Sequence, residues 1–240
     1  MTSTSTTSTP AADAPRVHDE LELLAGLVPL AGARVIELGC GAAALARQLV
    51  QRHPDAHVTA LEVDERQHAK NLAAPAAGLH FVAAGAQAIP FADAGFDLAL
   101  MLKSLHHVPQ PLMAQALGEV ARVLRPGGHL YVSEPVYAGA LNDIVRLFND
   151  ERVVRAAAQA ALDAALAGDW EPVRDLQFRT PVHFDDFETF ERRMMRPTFA
   201  DHHIDDARLA RVRAAFMPHC GAGGADFERP MHVRLLRRRG

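Results

Sequence analysis

The sequence lacks several features that would place it in a special class of protein. It has only two cysteines in 240 residues, Cys40 and Cys220, which excludes a disulfide framework and is typical of a reducing compartment. No apolar run approaches the ~18 to 20 residues that a membrane-spanning helix needs. Lys and Arg number 25 against 29 Asp and Glu, so no positive field for nucleic-acid binding is present. We therefore expect a cytoplasmic protein with neither membrane nor nucleic-acid partners.

The first residues are equally poor in targeting signals. Residues 1–15 consist mainly of Ser, Thr, Ala and Pro, without Lys, Arg or an apolar run. This composition predicts no secretory signal and a disordered leader. The rest of the chain, residues 16–240, is long enough for one large domain with a core and too short for two comfortable ones.

What the sequence does contain is an apolar strand that leads directly into a glycine turn. Residues 35–38 are followed by Gly39-Cys40-Gly41, and a helix begins near Ala42. The glycines let the backbone turn tightly and approach a ligand, which also meets the free amides of the helix. A dinucleotide site would carry a third glycine where this chain has Ala44, and Glu37 would repel a pyrophosphate. The turn therefore predicts a cofactor that carries positive charge.

A second acid supports a nucleotide-type cofactor. Glu62 ends the next apolar segment and follows Gly39 at roughly the ~20-residue spacing at which an acid meets a ribose. Its two carboxylate oxygens can accept hydrogen bonds from both ribose hydroxyls. The alternative is an ordinary solvated acid at a strand end.

Further segments occur downstream in a fixed order: Ile89-Pro90-Phe91, Phe96-Asp97-Leu98, Leu105-His106-His107-Val108 and an E-x-x-R-V-L-x-P-G-G stretch at 119–128. Together with the E-x-G-x-G turn, they resemble the motifs of class I S-adenosylmethionine-dependent methyltransferases that act on small molecules. The resemblance covers about residues 18–136. It implies S-adenosyl-L-methionine as cofactor, S-adenosyl-L-homocysteine as product and a small-molecule acceptor whose O-, N- or C-nucleophile stays open.

The resemblance also implies the fold class, α/β with a Rossmann-like doubly wound sheet. Seven strands are expected in the order 3-2-1-4-5-7-6, with the last strand antiparallel. Hydrophobic patterning predicts strands at 34–38, 57–61, 79–83, 96–102 and 129–134, and helices at 21–30, 42–52, 65–73 and about 112–123. Residues 172–184 and 227–236 are candidates for the remaining strands, with a helix at 206–217 between them.

We divide the single domain into a cofactor-binding core (16–136), a helical lid inserted after strand five (137–170) and C-terminal strands and helices (171–240). The apolar residues of the lid favour a small, largely hydrophobic acceptor. Equally, they could pack the lid onto the sheet or form a homodimer contact.

The resemblance assigns cofactor contacts residue by residue, to Glu37, Gly39, Cys40, Gly41, Glu62, Val63, Ala86, Gln87 and Leu102. Two positions depart from the family pattern. Ala43 replaces the third motif glycine, which is tolerated unless the backbone needs positive φ. Gly85 replaces an aspartate that accepts from the adenine amino group, so adenine recognition falls to Ala86 or Gln87, and we expect weaker cofactor affinity.

Methyl transfer asks little of the protein beyond positioning, exclusion of water and removal of a proton. His106 and His107 are the candidate bases, since both follow the fourth strand at the carboxyl edge of the sheet. Their alternative is a structural role in the loop. Lys103 and Glu134 are candidate substrate contacts, and Glu134 is equally a paired or solvated acid. No metal site is expected, because His202-His203 and the other histidines lack ligand spacing.

Two alternative functions remain open. A nicotinamide-dependent oxidoreductase would need the third glycine and a Tyr-x-x-x-Lys pair, yet neither Tyr131 nor Tyr137 has a lysine four residues on. A non-catalytic protein that binds S-adenosylmethionine is compatible with the changes at Ala43 and Gly85.

Overall fold

The computed structural model describes residues 14–197 and 202–240. The predicted leader lies almost entirely outside these residues. The described part contains one mixed sheet, whose strands are β1 (Arg34–Leu38), β2 (His57–Glu62), β3 (Leu79–Ala83), β4 (Phe96–Leu102), β5 (Leu124–Pro135), β6 (Trp170–Phe184), β7 (Cys220–Gly221) and β8 (Gly224–Arg238).

The strand order is β3-β2-β1-β4-β5-β8-β6. Strands β1 to β5 are parallel to their neighbours, whereas β8 is antiparallel to both β5 and β6. The predicted order and the antiparallel last strand are therefore confirmed. The sequence did not predict the two-residue β7, which pairs with β8. Because of this extra strand, the predicted strand 7 is numbered β8 in the structure.

Helices connect the strands on both faces of the sheet. They are α1 (Glu20–Ala25), α2 (Ala44–Arg52), α3 (Glu65–Leu72), α4 (Met113–Val123), α5 (Ala140–Val145), α6 (Arg152–Ala165), α7 (Phe187–Phe190) and α8 (Asp206–Phe216). A π-helical turn, Glu191–Met195, follows α7. In the part of the chain that the structure describes, no helix is both long and apolar enough to cross a membrane.

Three predicted elements differ in extent. The helix expected at 21–30 ends at Ala25, because Gly26 and then Pro29 disfavour its continuation. Strand β5 begins at Leu124 rather than at residue 129, since Leu124 already pairs with Phe96 before the register shifts. The helical lid predicted at 137–170 contains two helices, α5 and α6, and its role as a lid stays a prediction.

The central strands are buried on both faces. In β4, Leu98 and Leu100 pack into one apolar cluster, whereas Ala99 and Met101 pack into another on the opposite face. The apolar stripe of α4 belongs to the second cluster, which confirms its assignment to the core. The parallel strands therefore end at one sheet edge, where open α/β folds bind ligands.

Candidate functional site

The glycine turn after β1 lies against Ser104, two residues beyond the end of β4. Gly39 has φ of +70°, and a Cβ built on it would lie 2.8 Å from Cβ of Ser104. The Ser104 hydroxyl donates a hydrogen bond of 2.7 Å to the carbonyl of Leu38. A side chain at position 39 would therefore meet both a steric and a conformational obstacle.

Ala43 has the positive φ that is the stated exception to its predicted tolerance. Its φ is +55° and ψ is +38°, a left-handed conformation immediately before α2. Such a conformation costs an L-residue roughly 1–2 kcal/mol. The loss of the third glycine therefore leaves local strain at the start of the helix.

Glu62 holds the glycine turn against the end of β2. Its Oε2 accepts a hydrogen bond of 2.7 Å from the amide of Gly41, and its Oε1 accepts from the amides of Val63 and Asp64, each at 2.8 Å. From α3, buried Asn71 donates to the carbonyl of Gly41 at 2.8 Å. Sequence reasoning missed Asn71, because an asparagine inside a helix carries no recognisable signal.

Glu37 is the electrostatic centre of a first cavity. Its side chain is buried, and its Oε2 has no hydrogen-bond partner among the described residues. Burial raises the pKa of Glu37 to about 8, and the charge of Lys103 opposes the rise. A buried carboxylate oxygen without a partner fits a cationic ligand. The residues therefore fit the ammonium and sulfonium groups of S-adenosylmethionine.

This first cavity, the acidic cavity, has a volume of about 420 Å³. Its lining includes Cys40, Leu102 and Lys103, together with Glu37 and Glu20. Burial raises the pKa of the Cys40 thiol to about 12, so the thiol stays protonated and is a wall of the cavity rather than a nucleophile.

The region after β3 shows what replaces the missing aspartate. A Cβ at Gly85 would lie 2.6 Å from Oε1 of Gln87, so the Gln87 amide already fills the space beside position 85. Ala86 is buried next to it, whereas Val63 at the end of β2 is exposed. Adenine recognition by Gln87 and Ala86 stays a prediction that this placement favours.

Glu119 and Arg122 explain the E-x-x-R motif structurally. Glu119 Oε2 accepts from the amide of Ile89 at 3.0 Å, and Arg122 donates to the carbonyls of Ile89 and Phe91 at 2.9 and 2.8 Å. Arg122 also lowers the pKa of Glu119 to about 2. These motif residues fix the loop after β3 onto α4, at a distance from both cavities.

A second cavity, the basic cavity, has a volume of about 210 Å³ and shares Lys103 with the acidic cavity. Both predicted base candidates line it. The charged and titratable residues of its lining are Lys103, His106, His107, Glu151, Arg155, Arg193, His202 and Arg229. The sequence did not point to Glu151, Arg155, Arg193 or Arg229, since each stands alone in a lid or C-terminal segment without a motif.

His106 and Glu134 form a buried pair. Nδ1 of His106 is hydrogen-bonded to Oε2 of Glu134, and Oε1 of Glu134 accepts from the amide of Leu105 at 2.9 Å. Nε2 of His106 lies 3.8 Å from Oε2 of Glu151 in the basic cavity. Glu134 therefore contacts a candidate base, and it is absent from the lining of either cavity.

His107 stacks beside this pair, with its ring centroid 4.1 Å from that of His106. Burial lowers the pKa of His107, and the adjacent His106 ring lowers it further. His107 is therefore neutral at neutral pH and can accept a proton.

Comparison with known proteins identifies the class. Residues 35–128 match the family model described as a methyltransferase domain. This segment begins in β1 and includes the glycine turn, Glu62 and the E-x-x-R motif. The match confirms the resemblance to class I S-adenosylmethionine-dependent methyltransferases over these residues.

Particular relatives share this part of the chain. An O-methyltransferase, rstn1, of Aspergillus nomiae is 36% identical over 110 residues, which are 43% of this chain and 47% of the relative. The 27-O-demethylrifamycin SV methyltransferase of Amycolatopsis mediterranei is 37% identical over 117 residues, 46% of this chain and 42% of the relative. The chain thus spans less than half the length of these curated relatives.

A solved structure resembles nearly the whole fold. A putative methyltransferase of Bacillus halodurans aligns over 92% of this chain and 99% of its own, with a TM-score of 0.64 and 16% identity. At this identity the likeness concerns the fold alone, and it extends the class I architecture to the C-terminal strands.

Proposed function

We propose that the chain transfers a methyl group from S-adenosyl-L-methionine to a small-molecule acceptor, with S-adenosyl-L-homocysteine as the second product. The observation that carries the proposal is the meeting of two cavities at Lys103. One contains the partnerless oxygen of Glu37, and the other contains the Glu134-oriented His106. This arrangement supports a donor site that adjoins a proton-accepting site.

The acidic cavity would hold the cofactor. Glu37 would receive the cationic end, and Glu62 and Val63 the ribose. Gly39, Cys40 and Gly41 would provide the turn, and Ala86, Gln87 and Leu102 would contact the adenine and the thioether. Of the predicted contacts, Glu37, Cys40 and Leu102 line this cavity, whereas the others lie outside its lining. When bound, the cofactor supplies a methyl group that its sulfonium already activates.

His106 would accept the proton that an O–H or N–H nucleophile loses as its bond to carbon forms. The Glu134 carboxylate orients the ring through Nδ1, which leaves Nε2 toward the basic cavity. Glu134 is thus a positioning residue in this proposal rather than the substrate contact expected from the sequence. Lys103 remains a candidate substrate contact, and neutral His107 is the second candidate base.

Thermal unfolding of the purified chain with S-adenosylhomocysteine, S-adenosylmethionine and NAD in parallel tests the cofactor. Ligand at about 100 times its dissociation constant stabilises the native state by ~2.7 kcal/mol, a rise in Tm of roughly 5–10 °C for this size. We expect the rise with the two adenosyl compounds. A rise with NAD alone would overturn the proposal in favour of an oxidoreductase.

A non-catalytic cofactor-binding protein is the second candidate, favoured by the strained backbone at Ala43. Incubation with S-adenosylmethionine and a panel of small hydroxy and amino compounds, followed by mass spectrometry, separates the two. A product heavier by one methylene unit supports transfer. Cofactor binding without any methylated product supports the second candidate.

The remaining partner predictions rest on composition. The acidic balance of the chain argues against nucleic-acid partners, and the lack of a long apolar run is the basis on which we predict a cytoplasmic location and no membrane partner. The lid helices are the predicted contact of a homodimer. Gel filtration of the purified chain tests the last of these.

A further inference from the structure

The basic cavity carries more positive than negative charge. Glu151 is the one acid of its lining within the described residues, and it is already paired. Nη2 of Arg155 lies 2.6 Å from Oε2 of Glu151, and Nε of Arg155 donates to the same oxygen at 3.1 Å. Arg193, Arg229 and Lys103 are therefore left without an acid inside the cavity.

Arg229 is the most informative of these cations. Across residues 14–197 and 202–240, no hydrogen bond or ion pair reaches its partly buried guanidinium. Burial lowers the pKa of Arg229 to about 10, and the charges of Arg155 and Arg193 lower it further, while Glu151 opposes them. The group still carries a full charge at neutral pH. A desolvated charge without a partner costs free energy that an anion would offset.

Arg193 is held nearby by groups that do not neutralise it. Its Nη1 donates to the carbonyl of His183 at 3.1 Å, and its guanidinium lies over the ring of Phe184, 5.0 Å from the centroid. The two arginines come from separate elements, β8 and the π-helical turn. Their positive charges therefore converge on one cavity from two sides.

The backbone of Arg229 is offset along β8 from the residue that pairs with Glu134. Glu134, the partner of His106, pairs with His232, and Arg229 lies three residues further along the strand. Three residues of strand correspond to roughly 10 Å. A bound molecule could therefore contact Arg229 with one group while it presents a different group to His106.

A metal ion is a competing occupant of the same cavity. Ligand atoms of His106, His107 and Glu151 all lie within 4.8 Å of one another. However, the Glu151 oxygen nearest to His106 is the one that Arg155 holds, and the surrounding arginines repel a cation. The charge of the site favours an anion.

We propose that the methyl acceptor is a small carboxylic acid whose carboxylate is held by Arg229, with Arg193 as the supporting cation. The planar guanidinium can bind both carboxylate oxygens at once. The volume of about 210 Å³ lies below the ~300–1,000 Å³ typical of ligand pockets, which favours a small acceptor. This inference rests on the proposed function and names its substrate class.

Ligand-induced thermal stabilisation tests the carboxylate site without requiring turnover. The chain, saturated with S-adenosylhomocysteine, is titrated with benzoate and succinate, with the neutral amides benzamide and succinamide, and with inorganic phosphate, all at constant ionic strength. We expect stabilisation by at least one carboxylate and by neither amide. No stabilisation by either carboxylate beyond sodium chloride overturns the proposal, as does stabilisation by phosphate alone.

Two variants locate the effect. Arg229→Gln should weaken carboxylate binding ~10- to 100-fold, as loss of a charged hydrogen-bonding partner does. It should unfold at the same or a higher temperature without ligand, because an unpaired buried charge has been removed. Arg146→Gln is the matched control, since Arg146 pairs with Asp143 on an exposed surface. Equal loss in both variants, or no loss in Arg229→Gln, overturns the assignment.

Two further measurements distinguish the carboxylate site from a metal site and from failure of the proposed function. Stabilisation by Zn²⁺ or Mg²⁺ that disappears in Glu151→Gln, with no response to carboxylates, overturns the proposal in favour of a metal. The shift with S-adenosylhomocysteine alone is measured in every variant. If that shift is absent while carboxylates bind, the proposed function fails and the carboxylate site stands. If it is present without a carboxylate response, the carboxylate site alone fails.

Discussion

The two cavities that meet at Lys103 are opposite in charge. The acidic cavity contains Glu37, whose Oε2 has no partner in the described part of the chain, and the basic cavity contains Arg229, whose guanidinium likewise has none there. A buried ionisable group is normally paired, so each unpaired one is a candidate contact for a ligand of opposite sign. A cationic ligand would favour the ionised form of Glu37, whose pKa is otherwise raised to about 8, and an anion would pair with Arg229. The contrast therefore supports the ligand charge that we propose for each cavity.

The cavities also differ in how they relate to the family. The methyltransferase model covers residues 35–128, which include Glu37, the glycine turn and Lys103. Arg155, Arg193 and Arg229 all lie beyond it. The acidic cavity thus has its central carboxylate inside the matched segment, whereas the basic cavity combines Lys103, His106 and His107 from that segment with arginines from beyond it.

The largest expected effect concerns the basic cavity. His106→Gln should lower the rate of methyl transfer ~10²- to 10⁴-fold, because a positioned base contributes about that much. Initial rates with an identified O–H or N–H acceptor measure it. The Tm shift with S-adenosylhomocysteine should not change, since the acidic cavity is intact.

The control for this variant is His80→Gln, at an exposed position of β3. Glu134→Gln should also lower the rate and should alter its pH dependence, because Glu134 acts through His106. A wild-type rate in His106→Gln would show that His106 in the basic cavity is not the base for methyl transfer.

The second effect concerns the acidic cavity. Glu37→Gln should weaken S-adenosylmethionine binding ~10- to 100-fold, since a charged hydrogen-bonding partner is lost. S-Adenosylhomocysteine, which lacks the sulfonium charge, should lose less. Calorimetric titration of both ligands checks this, with Glu65→Gln in the exposed first turn of α3 as control. An equal loss of affinity for both ligands would mean that Glu37 does not interact with the sulfonium charge.

The third effect is the pH dependence of stability. The pKa of Glu37 is about 8 in the folded chain against an ordinary value of 4.5, so the folded state binds an extra proton between these pH values. Stability should therefore fall as pH rises through this window. The Tm of Glu37→Gln should exceed that of the wild type by a margin that grows from pH 5 to pH 9. A margin independent of pH would contradict a raised pKa.

The smallest expected effect is on stability and concerns the backbone beside the acidic cavity. Ala43→Gly should raise the free energy of unfolding by about 0.5–1 kcal/mol, because glycine relieves the left-handed strain at some cost in chain entropy. Chemical denaturation measures the change. Ala42→Gly is the neighbouring control and should not stabilise, since Ala42 is not among the described residues with positive φ. Equal effects of the two substitutions would remove the case for strain.

The sequence predicted the donor side far better than the acceptor side, for a physical reason. The glycine turn, Glu37 and Glu62 are local in sequence, and the parallel strands bring such residues to one edge whatever the rest of the chain does. Arg229 reaches the basic cavity only because β8 pairs along its length with β6 and because α6 places Arg155 in the same lining. No local pattern encodes that convergence.

Glu134 and Ala43 show the same limit on a smaller scale. The sequence placed Glu134 at the sheet edge but could not show that its carboxylate is directed at His106. From the sequence we expected strain at Ala43 only if its φ were positive, and the sign of φ is known only from the backbone structure.

The length of β8 has an evolutionary consequence. Strand β8 spans Gly224–Arg238, whereas β1 spans only Arg34–Leu38, so the wall that carries Arg229 is part of the hydrogen-bonded ladder rather than a loop. Alternate residues of a strand share a face, and β6 keeps that face in register. Within the described lining of the basic cavity, Arg229 is the one residue that β8 contributes. On the proposed function, a substitution at this single position would change the charge of the acceptor that the cavity binds, so a new specificity would need only one mutational step.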